Sequence, residues 1–293
     1  MIRPDQRDGA AGAGSGAGNL TLRVASAVVL VPVVLAVTYA GGWIFLSLCT
    51  IAAGGILWEW TALVARRADP RILVPGWAAL LIAAALVGVN RPDAALSMIA
   101  VGALLGGLAR MAVPPGAAVP GQAAWALGGI VYAGIGLFGP TLLRSDPQWG
   151  LTALLFLFAT VWSTDIFSFF CGRAIGGPAL WRNVSPNKTW SGAIGGLIGG
   201  VAAGVAVAYA NGIAKLGIIG AMALLLSVLA QAGDLLESAV KRRFGAKDAG
   251  QLIPGHGGLM DRLDGLLVAA AAALLIGILR EGAGSPGRGL LVW

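Results

Sequence analysis

The chain has 293 residues, 57% of them hydrophobic and only 11% charged, with a mean hydropathy of +0.83. A soluble domain carries about 25% charged residues, so this composition excludes a water-soluble globule and predicts an all-α polytopic membrane protein. The net charge of +7 is not spread evenly along the chain, and nucleic-acid binding is not predicted.

Residues 1–19 are polar and rich in glycine and alanine, and they read as a disordered tail, not as a cleavable signal peptide. Nine apolar runs follow, at 20–39, 43–64, 72–89, 94–108, 123–143, 151–171, 191–209, 213–233 and 266–279. The fourth and the last are short against the roughly 20 residues that a helix needs to cross a bilayer. The 46 glycines suit a bundle of such helices, because small residues let backbones approach where lipid removes the hydrophobic drive between helices. Cys49 and Cys171 both fall in apolar runs, which points to core packing and not to a disulfide or a thiolate metal site.

With nine spans, five of the 20 Lys+Arg lie on one side: Arg91, Arg144, Lys215, Arg280 and Arg288. The other fifteen share the side of the N-terminal tail. The positive-inside rule then puts the N-terminus in the cytoplasm and the C-terminus outside the plasma (inner) membrane. No internal repeat or inverted symmetry of the transporter kind is apparent. The polar content is lopsided instead. Glu59, in the Trp-Glu-Trp of the second span, is the one acid of the first five spans. Residues 20–150 therefore read as a transmembrane scaffold of about five helices. Residues 151–293 read as a catalytic region of about four, with a polar cavity facing the cytoplasm.

Three clusters carry chemistry. In Trp162–Gly177, Asp165 lies inside an apolar span, where an ionisable group is costly unless paired or liganded. Asp165, Phe169 and Gly172 recur at helical spacing and share a face. Ser185, Lys188 and Thr189 follow, within SPNKT, as hydroxyl and amine donors ahead of the seventh span, where a helix N-terminus makes a phosphate seat. In Gln231–Arg243, the spacing of Asp234, Ser238 and Lys241 puts an acid, a hydroxyl and an amine on one helical stripe, with Glu237 adjacent.

The third cluster joins the last two spans. It sets Lys241, Arg242, Arg243, Lys247 and Arg262 against Asp248, Asp261 and Asp264, with His256 in the intervening PGHGG. The basic half suits phosphate groups and the carboxylate half a divalent cation that accompanies them. Asp261 and Asp264, three apart, would join Asp234 as three carboxylates for a magnesium ion that also binds substrate phosphates. His256 suits loop ordering or a phosphate contact better than a general base.

At these residues the sequence resembles a known family. The run Ser238–Asp264, with S-x-x-K-R, K-D, P-G-H-G-G and D-R-x-D in order, is similar to the signature of phosphatidate cytidylyltransferases. GDLLES and the upstream D-x-x-x-F-x-x-G with SPNKTW extend the likeness back to Trp162. The resemblance implies transfer of a cytidylyl group from CTP to phosphatidic acid, giving CDP-diacylglycerol and pyrophosphate, with Mg2+ required. A second, monovalent, cation and a homodimer are compatible with it. It implies that Asp234 and Asp261 bind metal and that Asp264 and Asp165 belong to the same polar cavity. Lys188, Lys241, Arg242 and His256 would contact phosphate. The chain departs from the family where Ser191 replaces a glutamate, Met260 a leucine, Gly265 a serine and Asn187 an often basic residue.

Two other classes compete. A cation transporter explains intramembrane carboxylates but not a phosphate-type basic cluster. A CTP-using polyprenol kinase keeps the nucleotide site but transfers the γ-phosphate and releases CDP.

Overall fold

A computed structural model describes residues 28–111, 121–250, 252 and 257–293. The expected 1–19 tail, the start of the first span and His256 lie outside the described residues. The helices are α1 (Val28–Ala40), α2 (Gly42–Ala65), α3 (Pro70–Gly88), α4 (Pro92–Met111), α5 (Gln122–Arg144), α6 (Gly150–Ile175), α7 (Trp190–Ala210), α8 (Leu216–Arg243), α9 (Met260–Glu281) and the short α10 (Pro286–Leu291). Among the described residues, eight helices, α2 to α9, are long and apolar enough to cross a membrane. The first expected span is represented by α1. The chain is a multi-pass, almost wholly helical membrane protein.

Strands β1 (Ala179–Trp181) and β2 (Ser185–Thr189) form an antiparallel hairpin between α6 and α7, pairing Ala179 with Thr189 and Trp181 with Ser185. The SPNKT donors therefore lie on a strand, and only Thr189 acts as a helix cap, its Oγ1 accepting from the Gly192 N–H at 3.1 Å. Gly176 and Gly177, with φ of 67° and 109°, turn the chain out of α6 in a backbone region that side chains disfavour.

Hydropathy misplaces several helix ends for one reason. It stops where polar side chains begin, but the backbone does not. Helix α8 runs 28 residues through GDLLESAVKRR, and α9 begins at Met260, so Asp261, Arg262 and Asp264 are helical and not in a loop. The fourth span likewise reaches 20 residues.

Helices α2 to α5 pack on one another, as do α6 to α9, and α5 lies against α9. The α6–α7 seam shows how glycine replaces hydrophobic drive. Gly192, Gly196, Gly200 and Gly204 recur every fourth residue and face Ser168, Thr164 and Thr160, and a Cβ on Gly204 would stand 2.6 Å from Thr160 Oγ1. Across the seam, Thr164 Oγ1 and Ser227 Oγ of α8 share a hydrogen bond of 2.6 Å.

One buried charge pair fastens the first helices. Arg110, at the end of α4, places Nη1 2.5 Å from Oδ2 of Asp69, with both side chains almost wholly enclosed. Its Nη2 donates to Gln122 Oε1 at the start of α5. Arg110→Ala strands the Asp69 carboxylate and is expected to cost about 3–5 kcal/mol of stability, read by unfolding in detergent. A loss below about 1 kcal/mol would show that water takes over the carboxylate. At the other end of the bundle, Asp146 accepts the N–H of Trp149 at 2.9 Å and of Arg288 at 2.8 Å, tying α10 beneath α5 and α6.

Candidate active site

A cleft of about 800 Å³ opens between the end of α6, the hairpin, the start of α7, the end of α8 and the start of α9. Its walls include Asp165, Phe169 and Gly172 from α6, Ser185, Lys188 and Thr189 from β2, Asp234 and Lys241 from α8, and Asp261, Arg262 and Asp264 from α9. The shared face expected for Asp165, Phe169 and Gly172 is the face that lines it.

Two glycines bring α8 and α9 together. A Cβ on Gly233 would stand 2.9 Å from the Asp264 carbonyl oxygen, and one on Gly265 would stand 2.9 Å from the Ala230 carbonyl oxygen. This reciprocal contact sets Asp234 beside Asp264. With Glu237, one turn further along α8, they form a carboxylate trio whose oxygens lie within 4.8 Å of one another.

Lysines flank the trio. Lys188 pairs with Asp234. Lys241 Nζ lies 2.6 Å from Glu237 Oε2 and 2.5 Å from Asp261 Oδ1, so two carboxylates share one ammonium. Glu237 is deeply buried, and among the described residues neither of its oxygens has an aligned hydrogen bond; the close Lys241 contact is ionic. The buried hydroxyl of Tyr132, from α5, also lacks a hydrogen-bond partner among the described residues and is within electrostatic reach of Asp264, Glu237 and Asp234. Three clustered carboxylates, with the Glu237 oxygens and the Tyr132 hydroxyl unsatisfied among the described residues, fit a hydrated divalent cation.

The expected trio of Asp234, Asp261 and Asp264 is thus not the one that forms. Asp261 turns away to Lys241 and to the N–H groups of Ala249 and Gly258, at 3.0 and 3.1 Å. Glu237 stands in its place. The i, i+4 spacing of Glu237 and Lys241 signals their ion pair but not a place in the trio.

Ser238, Arg242, Lys247 and Asp248 are not among the cleft walls. The Nε of Arg242 reaches the Val184 carbonyl at the hairpin turn, at 3.4 Å. Lys247 and Asp248 are exposed. Sequence reasoning also passed over Arg173, Ser168 and Gln231, which line the cleft. Glu59, left unassigned by sequence, is buried against the start of α9, where its carboxylate accepts the N–H groups of Leu259 and Met260.

Residues 21–279 match the model of the cytidylyltransferase family. A phosphatidate cytidylyltransferase of Brucella abortus is 44% identical over 268 residues, covering 88% of this chain and 93% of the relative. One from Staphylococcus haemolyticus is 37% identical over 147 residues, covering 50% and 55% respectively. The matched region runs from the first span to α9 and takes in every wall of the cleft, and the chain belongs to the cytidylyltransferase family.

Proposed function

We propose that the chain transfers the cytidylyl group of CTP to phosphatidate. The observation that carries this reading is one cleft, in a membrane protein, that joins Asp234 and Asp264 of the carboxylate trio to lysines and an arginine. A phosphate oxygen of the lipid forms a bond to the α-phosphorus of CTP. The bond from that phosphorus to the oxygen bridging to the β-phosphate breaks, and pyrophosphate leaves with that electron pair. The lipid phosphate is already anionic near neutral pH, so no strong base is required. No covalent enzyme intermediate is needed.

Asp234, Glu237 and Asp264 would hold Mg2+, which when bound neutralises phosphate charge as it shifts toward pyrophosphate. Lys188 and Lys241 now rest on carboxylates. Both lie at the cleft wall, where they meet phosphate oxygens and fix the nucleotide in line with the lipid. Arg262 adds charge at the mouth, and Ser185 and Thr189 add hydroxyl donors. Asp165 lines the cleft from α6. Charge counting supports a cleft that faces the cytoplasm, where CTP is found, with the acyl chains left in the bilayer.

The test is the purified chain in detergent with phosphatidate, Mg2+ and CTP labelled at the α-phosphate. Label is expected in a lipid-extractable product. Asp261→Asn, which loosens Lys241, is expected to lower the rate by about 100-fold or more. Label recovered only as CDP would move the acceptor to a polyprenol and favour the kinase reading. A cytidylylated protein trapped after CTP alone would sink direct attack.

A further inference from the structure

Glu59 takes no part in the chemistry above and comes from the scaffold half of the chain. Yet it is only 2% exposed. Its Oε1 accepts the Leu259 N–H at 2.9 Å and its Oε2 accepts the Met260 N–H at 2.7 Å. Amides at a helix start have no acceptor within the helix, and a carboxylate there also complements the helix dipole.

The surrounding backbone is shaped to this carboxylate. A Cβ on Gly250 would stand 2.5 Å from Oε1, and one on Gly258 would stand 3.0 Å from Oε2. From the other side, Asp261 holds Ala249 and Gly258 through their N–H groups and reaches Lys241. The described backbone between α8 and α9 is therefore clasped by two carboxylates, and only Asp261 reaches the cleft.

The next residue reinforces the clasp. Trp60 donates from Nε1 to the Trp125 carbonyl at 2.9 Å and lies 5.3 Å from the Tyr132 ring. Trp125 in turn meets Phe244 edge-on at 5.1 Å, just beyond the end of α8. The end of α2 thus meets the start of α9 directly and the end of α8 through Trp125 of α5.

We propose that Glu59 is a positioning residue of the catalytic centre. By fixing the first amides of α9 it orients Asp261 and Asp264, and through Asp261 the ammonium of Lys241. The inference rests on the cytidylyl-transfer reading for its kinetic part. Glutamine keeps the shape of Glu59 but offers one acceptor, and its amide N–H faces a backbone N–H. Glu59→Asp has a shorter arm that cannot span both amides.

The test compares the full-length wild type with Glu59→Gln in detergent. It combines thermal unfolding, separate kcat and KM for CTP, and Mn2+ titration followed by electron paramagnetic resonance. The variant is expected to melt within a few degrees of wild type. Its kcat is expected to fall about 100-fold while KM for CTP changes by less than about threefold, as misplacement by about 1 Å predicts. Its Kd for Mn2+ is expected to rise about tenfold, because Asp264 shares the first turns of α9. Glu59→Asp is expected to follow the same pattern. A kcat and an Mn2+ affinity both within about twofold of wild type overturn the proposal. So does an activity loss matched by loss of folded protein. If the wild type binds Mn2+ but moves no label, the transfer reading fails, and Glu59 is judged by the Mn2+ shift alone.

Discussion

Asp264→Asn is expected to lower cytidylyl transfer by about a thousandfold while leaving the protein folded. The amide keeps the volume of the side chain but removes one of three negative charges whose oxygens lie within 4.8 Å of one another. The half-saturating Mg2+ concentration should rise with the loss of rate, and Glu237→Gln should show the same signature. Relief of repulsion within the trio should leave the melting temperature unchanged or raise it, since like charges held together for function cost stability. Asp93→Asn, at the exposed start of α4, makes the same charge change away from the cleft and serves as the control. Wild-type Mg2+ dependence in Asp264→Asn would remove the trio from the mechanism. A full effect from Asp264 with none from Glu237 would return the third ligand to Asp261.

Lys241→Met is expected to abolish transfer, by about a thousandfold, and to destabilise the fold as well. Lys241 is the shared partner of Glu237 and Asp261, whose side chains are only 1% and 13% exposed. Without it the buried Glu237 carboxylate loses its ammonium and Asp261 keeps only its backbone N–H donors, a loss of about 3–5 kcal/mol for a buried pair broken on one side. The double variant Lys241→Met with Glu237→Gln removes one of those charges and should recover much of the stability but none of the activity. Unfolding in detergent and label transfer, measured on the same preparations, separate the two effects. A single variant as stable as wild type would show that the carboxylates have another partner, and a double variant no more stable than the single would rule out charge as the cause.

The opposite behaviour of these two variants, one neutral to stability and one costly, follows from where each charge sits. Asp264 is one of three carboxylates crowded together, so removing its charge relieves repulsion. Lys241 is the ammonium that keeps two acids together. The lysines sit against the carboxylates, Lys188 on Asp234 and Lys241 on Glu237 and Asp261, and spare them unpaired burial. On the proposed reading, the same lysines meet phosphate once a cation sits among the acids. On that reading the ligand brings both signs of charge.

Composition and hydropathy by themselves determined a helical membrane bundle, because the bilayer leaves a long apolar run little choice but to satisfy its own backbone hydrogen bonds. Helical spacing also determined that Asp165, Phe169 and Gly172 share a face, since that relation is local to one helix. The ends of α8 and α9 were not legible, because hydropathy reports side chains while the helix continues through polar residues that line a cleft. Which acid completes the trio was decided only by tertiary structure. Glu237 joins Asp234 and Asp264 because Gly233 and Gly265 let two backbones touch, and Asp261 is drawn to Lys241 and two amides. Glu59 lay furthest from reach. Its partners Leu259 and Met260 are 200 and 201 residues away along the chain, and no local pattern encodes a contact made by packing α2 against the start of α9.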